Sequence, residues 1–257
     1  MKNKALYITI MIMIIVIALA GCGREKEEPA DKPSVTVKQQ ADLTEEEQKL
    51  LIAAFGDDEN IRTGNLYDYQ KEALVQLRTG MEYLKEKYPG EGFSVLSFSN
   101  ATKLTEYASC YFRAGTSSKE YLLTITPENG KYVCRDTYYG EKIRDRYDAE
   151  LESILRENGY ETKLYTDFST PAGMDVDGSA TMRTINTVSP KIARCTFIFV
   201  DSSLMGQGEN IQNTLYDKGA YGSYILYFSD NLMDKSIDQL VMQRKGFKSV
   251  TFNIFAE

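Results

Sequence analysis

Three stretches of this chain share one pattern. YLKEKYPGEGFSVLSF, ILRENGYETKLYTDF and LVMQRKGFKSVTFNIF each run from an apolar-striped, basic-tipped segment through a glycine into a strand-like run opened by an aromatic. Glycine accepts the left-handed conformation that closes a helix, and an apolar residue just beyond it packs back on the last turn. A helix that stops and returns as a strand lies on the sheet it feeds, so the pattern predicts helices layered on sheet at about two places along the chain. The three units are unevenly spaced, which argues against internal duplication and for ordinary helix capping.

Periodicity places the elements between these anchors. Thr44 with Glu47 three residues later is a capping-box pattern opening a short helix with Leu50, Leu51, Ala54 and Phe55 on one face and Gly56 at its end. Asp57, Asp58 and Glu59 read as a solvated acidic connection. From Asn65 to Tyr88, the apolar positions Leu74, Leu77, Met81, Leu84 and Tyr88 recur at steps of three and four, one face of a long helix stopped by Pro89-Gly90. Four β-rich segments follow at about 93–99, 107–114, 120–126 and 131–138, with Glu128-Asn129-Gly130 as a turn between the last two, and an antiparallel meander is the simplest arrangement.

A second long helix is predicted from Glu141 to Asn158, with Ile143, Tyr147, Leu151, Ile154 and Leu155 inward and Gly159 at C′, followed by a strand over Tyr160–Phe168 with one wet face. Residues 169–191, rich in Gly, Ser, Thr and Asp and holding Pro171 and Pro190, read as a long loop, either functional or mobile. The last third alternates: strand Cys195–Val200, helix near Gly208–Lys218, strand Tyr221–Phe228, helix near Asn231–Lys245, strand Phe247–Phe255. Connections of this length favour parallel pairing through crossovers, and the near-continuous apolar CTFIFV suits a strand covered on both faces. The expected class is therefore α+β, with helices layered on a mainly antiparallel sheet in the first half and mixed α/β alternation in the last third.

The N-terminus carries a different message. Lys2 and Lys4 precede an apolar run from Ala5 to Ala20 broken only by Thr9, the basic and apolar regions of a secretory signal. The run is somewhat short for a stable membrane span, which needs about 20 apolar residues. Leu19-Ala20-Gly21-Cys22 then resembles the lipobox of bacterial lipoproteins. That resemblance covers about the first 22 residues and implies cleavage before Cys22, a diacylglycerol on its sulfur, and a lipid anchor holding the body at the extracytoplasmic face of the membrane. The competing reading is an uncleaved anchor helix, and both place the body outside the cytoplasm. The implied organisation is a signal peptide over 1–21, a disordered tether over 22–41 (charged, with Pro29 and Pro33), a helix-plus-meander module over 42–158, and an α/β module over 159–257 that can pack with it as one body.

Charge narrows the partners. Loss of Lys2 and Lys4 with the signal leaves 28 basic and 37 acidic side chains, a formal charge of −9. Such a body is a poor match for nucleic acid or for adsorption to an anionic bilayer through basic patches, so membrane association falls to the lipid on Cys22. Cys110, Cys134 and Cys195 remain, with no CxxC or Cys/His spacing that would suit zinc. Cys110 and Cys134, both in strand-like segments, are either bridged or buried as thiols with Cys195.

No histidine occurs anywhere in the chain. Ser-His-Asp, Cys-His and His-ligated metal mechanisms therefore need an imidazole from elsewhere. GxSxG, SxxK and Walker A patterns are absent, and neither a catalytic residue, a cofactor nor a metal is assigned. Asp175-Val176-Asp177-Gly178 reads as a solvated turn, because Met182 and Arg183 stand where a calcium loop would use acids. Asp201-Ser202-Ser203 resembles the start of a von Willebrand A metal loop, with Met205 in place of the second serine. Gly206-Gln207-Gly208 reads as a helix entry. Eighteen tyrosines without a tryptophan, with Tyr107, Tyr111, Tyr121, Tyr132, Tyr138 and Tyr139 crowding the meander, suit sheet margins or a docking surface. The expected function is a membrane-anchored, non-catalytic recognition or assembly module acting on a membrane-proximal protein or a glycan. The alternatives are an extracytoplasmic enzyme with glycosidase-like carboxylate chemistry, signalled by two buried carboxyls in a cleft, and a transporter solute-binding lipoprotein, signalled by a deep interlobe pocket.

Overall fold

Thr44 and Glu47 form the capping box read from the sequence: Thr44 Oγ1 accepts from the Glu47 amide at 3.2 Å and Glu47 Oε2 accepts from the Thr44 amide at 2.8 Å. They open helix α1 (Glu45–Phe55), followed by α2 (Glu59–Thr63) and the long α3 (Asp68–Lys87). The computed structural model describes residues 40–101, 105–188 and 194–255. The signal peptide, Cys22, the tether through residue 39 and Pro190 lie outside the described residues.

Strands β1 (Phe93–Ser99), β2 (Ala108–Ala114), β3 (Tyr121–Glu128) and β4 (Lys131–Asp136) form the expected antiparallel meander in the order β1-β2-β3-β4. The β3–β4 hairpin turns on Asn129 and Gly130, at φ 51° and 76°, the pair of left-handed residues a two-residue hairpin demands. Helices α1 and α3 pack on this sheet. Leu74, Leu77, Leu84 and Tyr88 are buried as the periodicity predicts. Gly80 sits at the closest approach, where a Cβ would come within 2.7 Å of Leu123 Cδ2 and 2.9 Å of Ile125 Cδ1.

The second half comprises α4 (Tyr139–Glu157), β5 (Thr162–Phe168), α5 (Met182–Val188), β6 (Arg194–Asp201), α6 (Gly208–Asp217), β7 (Gly222–Ser229), α7 (Ile237–Gln243) and β8 (Lys248–Ile254). The sheet order is β5-β6-β7-β8. Helix α4 packs along β5 and against α6. Strand β6 is covered on both faces as CTFIFV suggests: Ile198 and Val200 join the main core, whereas Phe199 packs with Tyr227, Leu232 and Leu240 under α7. The main buried cluster runs without a break from Leu50 through Phe112 and Tyr147 to Ile254, so both sheets share it. The α+β class thus holds, with seven α-helices and two mostly antiparallel sheets among the described residues. None of those helices is long and apolar enough to cross a membrane.

Five local expectations need correction. Parallel pairing holds for β6–β7 through α6, but β7–β8 is antiparallel. The segment expected as one helix over 231–245 is broken into a 3-10 turn, the seven-residue α7 and a second 3-10 turn. The chain enters β8 at the end of the sheet where β7 finishes, Lys248 pairing with Phe228, while the short α7 packs through Leu240 against Phe199 and Tyr227. Residues 169–188 are not an open loop, because Ala172 pairs with Asp136 as a β-bridge and Val176, Ala180 and Ile185 are buried. The acidic stretch after Gly56 caps α2, with Asp58 Oδ1 accepting from the Asn60 amide at 2.9 Å. The ordered body begins before residue 42, since the Ala41 amide donates to Gly64 O at 2.7 Å.

Candidate functional site

The polar core of the first half is built where α3, β4, the start of α4 and the 169–181 segment meet. Asp136 ends β4 pointing inward, two residues beyond Cys134 on the same face, and Lys87 closes the last turn of α3. Lys87 Nζ donates to Asp136 Oδ2 at 2.8 Å, to Tyr83 Oη at 3.0 Å and to Ala172 O at 3.1 Å. The Tyr83 hydroxyl donates to Oδ2 at 2.7 Å, and the Tyr88 hydroxyl and Tyr139 amide donate to Oδ1 at 2.8 and 3.0 Å. The ammonium also lies 5.4 to 5.6 Å from the rings of Tyr83, Tyr88 and Tyr139. Burial pushes Lys87 down and the nearby Asp136 carboxylate opposes it, while burial and the same carboxylate drive the phenols of Tyr83 and Tyr88 far up. With side-chain exposures of 1% and 0%, the Lys87–Asp136 pair is a sealed joint that no substrate reaches.

The second buried carboxyl is Asp148 on α4. It accepts from Thr166 Oγ1 at 2.5 Å and the Thr166 amide at 3.2 Å, and Thr166 in turn meets Thr196 Oγ1 at 2.9 Å. Burial outweighs those bonds and pushes its pKa up to about 6. Asp136 and Asp148 are both consumed by hydrogen bonds inside the core, a different environment from the acid pair in a cleft that glycoside hydrolysis uses. Arg194, buried at the start of β6, donates to Tyr147 Oη at 2.8 Å, to Tyr221 O at 2.5 Å and to Asn186 Oδ1. These groups join α4, β6, α5 and the entry to β7.

The sequence candidates fall as follows. Cys110 faces Leu123 across the β2–β3 pair and Cys134 faces Ile125 across β3–β4, so β3 stands between them. Two strand spacings are about 9.6 Å, beyond the reach of a disulfide, and the buried-thiol alternative describes both. Burial pushes Cys110 to about 12 and Cys134 to about 11, and burial with Asp167 also raises the half-buried Cys195. None is an activated nucleophile. Asp177 Oδ1 accepts from the Ser179 amide at 2.7 Å and hydroxyl at 2.5 Å, a closed turn. Asp201 Oδ1 likewise caps the 3-10 turn after β6, accepting from the Ser203 amide at 3.0 Å. Gln207 and Gly208 enter α6 as a plain helix start. Among the described residues, no group of three or more carboxylates or thiols is placed to hold a metal.

The tyrosines divide sharply. Tyr121, Tyr138 and Tyr139 are buried, Tyr121 and Tyr138 in an edge-to-face cluster with Phe93 and Phe112, which corrects their placement at the sheet margin. Tyr107 and Tyr111 are exposed, at 39% and 47%. Alternation puts Tyr111 on the face opposite Cys110 and Phe112, together with Ser97 on β1 and Leu122 on β3, which pair with it directly. Ser99, Ser109, Thr124 and Arg135 form the neighbouring cross-strand row. The ion pairs Arg113–Glu120 at 2.7 Å and Arg135–Glu128 at 2.9 Å stand toward the ends of this flat face.

A second surface feature is concave. A groove of about 520 Å³ runs between α3 and β4, lined by Thr79, Glu82, Tyr83 and Glu86 on one wall, Tyr132, Val133, Cys134 and Arg135 on the other, and Gly173, Met174 and Asp175 at one end. No known protein family, curated protein or solved structure matches this chain. Sequence reasoning missed Lys87, Asp148 and Arg194, which sit among other charges in LKEKY, RDRYDAE and KIARC; only Asp136, at the inward parity of β4, carried a signal.

Proposed function

We propose that the protein is a lipid-anchored, non-catalytic recognition module at the extracytoplasmic face of the membrane, which docks a folded, membrane-proximal protein on the open face of its first sheet. The observation that carries this reading is the face itself: α1 and α3 pack on the Phe112 side of β1–β4, and the opposite side presents the exposed Tyr111 and half-buried Leu122 beside Ser97, Ser99 and Ser109. An aromatic and an aliphatic side chain at the centre, hydroxyls around them and ion pairs at the margin match the anatomy of a protein interface, with an apolar centre and a polar rim. Tyrosine is suited to such a centre because its ring is rigid and its hydroxyl stays wet. The lipobox ending at Cys22 supports the location, and the acidic balance of the chain supports anchoring by lipid in place of basic contact with the bilayer.

A photo-crosslinking amino acid at Ser99, on the rim of the face, is expected to capture a membrane or membrane-proximal protein in intact cells, and Tyr111→Glu is expected to abolish the capture. Crosslinks confined to glycan, or capture unchanged by Tyr111→Glu, would sink the reading.

A further inference from the structure

The groove beside β4 has a feature that its lining residues disclose. Side chains of consecutive strand residues point to opposite faces, so four consecutive residues, Tyr132 to Arg135, can line one groove only if the groove runs along the edge of the sheet. Strand β4 is indeed an edge strand, paired with β3 alone over 131–136. Its free side is used once: the Asp136 amide donates to Ala172 O at 3.0 Å and the Ala172 amide donates to Asp136 O at 2.9 Å. That two-bond exchange makes Asp136 outward-bonding, and ladder alternation then turns the N–H and C=O of Cys134 and Tyr132 outward as well, while Arg135 and Val133 bond toward β3. Beyond Ala172 the chain leaves the edge through a turn in which the Val176 amide donates to Gly173 O at 3.3 Å. The protein therefore starts a fifth strand at Ala172 and abandons it after one residue.

The other wall supplies chemistry for an occupant. Thr79, Glu82, Tyr83 and Glu86 are spaced as one helix face, with exposed carboxylates four residues apart. Among the described residues neither Glu82 nor Glu86 takes part in an ion pair, and the single cation in the lining, Arg135, is engaged by Glu128. Asp175 adds a third carboxylate at the end of the groove. Alternate side chains of an added strand would project toward α3 about 6.8 Å apart, close to the 5–6 Å that separates helix positions i and i+4.

We propose that this groove binds an extended, basic peptide segment by strand addition to β4, with lysine or arginine at alternate positions meeting Glu82 and Glu86. Main-chain bonds to Cys134 and Tyr132 supply the register, and the carboxylates select the charge. This site meets the Tyr111 face only at Arg135 and does not depend on what that face binds.

The test uses the full chain in detergent and three fluorescein-labelled, end-capped probes: Lys-Thr-Lys-Thr-Lys, the same peptide with every backbone amide N-methylated, and Glu-Thr-Glu-Thr-Glu. Fluorescence anisotropy is expected to show saturable binding of the first probe alone, weakened at least tenfold by the double variant Glu82→Lys/Glu86→Lys, whose side chains are exposed on α3. Hydrogen exchange at the amides of Tyr132 and Cys134 is expected to slow on binding. Equal binding of the N-methylated probe overturns the proposal, because the contact is then charge without strand addition. Equal binding of the acidic probe or to the charge-reversed variant, or failure of the basic probe to bind, overturns it too. Should the double variant not fold, the comparison of the three probes on the unaltered chain decides alone.

Discussion

Lys87 and Asp136 show how a single buried pair ties distant segments together. Removing one partner leaves the other charge uncompensated in the core, which costs about 3–5 kcal/mol. Lys87→Met is accordingly expected to lower the free energy of urea unfolding by that amount, and a change under about 1 kcal/mol would contradict the role. Asp148 acts in the opposite direction. Its pKa in the folded chain, about 6, lies above the unfolded 3.8, so the folded state holds its proton longer. The stability it contributes is fully present below about pH 4 and is lost as pH rises through 6. Asp148→Asn keeps a neutral group at that place, and its stability relative to the parent is expected to be greater at pH 7.5 than at pH 4, by up to about 3 kcal/mol. Equal differences at the two pH values, measured by denaturant unfolding, would show that burial does not disfavour the Asp148 charge.

At the scale of the elements, the contact between α3 and β3 depends on an absent side chain. Gly80 is expensive in an isolated helix by about 1 kcal/mol relative to alanine, yet it lets Leu123 and Ile125 reach the helix backbone. Gly80→Val forces those side chains apart and is expected to destabilise by about 1–3 kcal/mol, read as a fall in urea midpoint with unchanged slope. Helix α7 is held by a smaller cluster through Leu240, which is fully buried against the Phe199 side of the second sheet. Leu240→Ala is expected to cost about 2–5 kcal/mol and to expose Phe199 and Tyr227, detectable as new binding of a hydrophobic dye.

For the whole molecule, the proposed anchor and the two surfaces are separable. Cys22→Ala is expected to leave the chain unprocessed or released from the membrane fraction, because the proposed lipid supplies the anchoring and the chain's net negative charge supplies none. Retention of labelled fatty acid on that variant would refute the assignment of Cys22. Were the body held near the membrane as proposed, the Tyr111 face and the β4 groove would each gain effective concentration toward a partner anchored in that membrane.

Several features were written locally and could be read from the chain alone: the capping box at Thr44, the stripe from Leu74 to Tyr88, the Asn129-Gly130 turn, the helix end at Gly159 and the strand covered on both faces at CTFIFV. Each depends on residues within about one or two turns of one another, where propensity and periodicity act directly. Tertiary structure decided what depends on distant neighbours. The Gly, Ser, Thr and Pro content of 169–188 reads as a loop, and only the tertiary structure pairs Ala172 with Asp136 and buries Val176, Ala180 and Ile185. The antiparallel direction of β8 rests on its pairing with β7, Phe228 against Lys248, and the pairing of Lys87 with Asp136 joins positions 49 residues apart. A buried charge is tolerable only beside its counter-charge, and the two meet only where α3 packs along β4 and Ala172 closes over them.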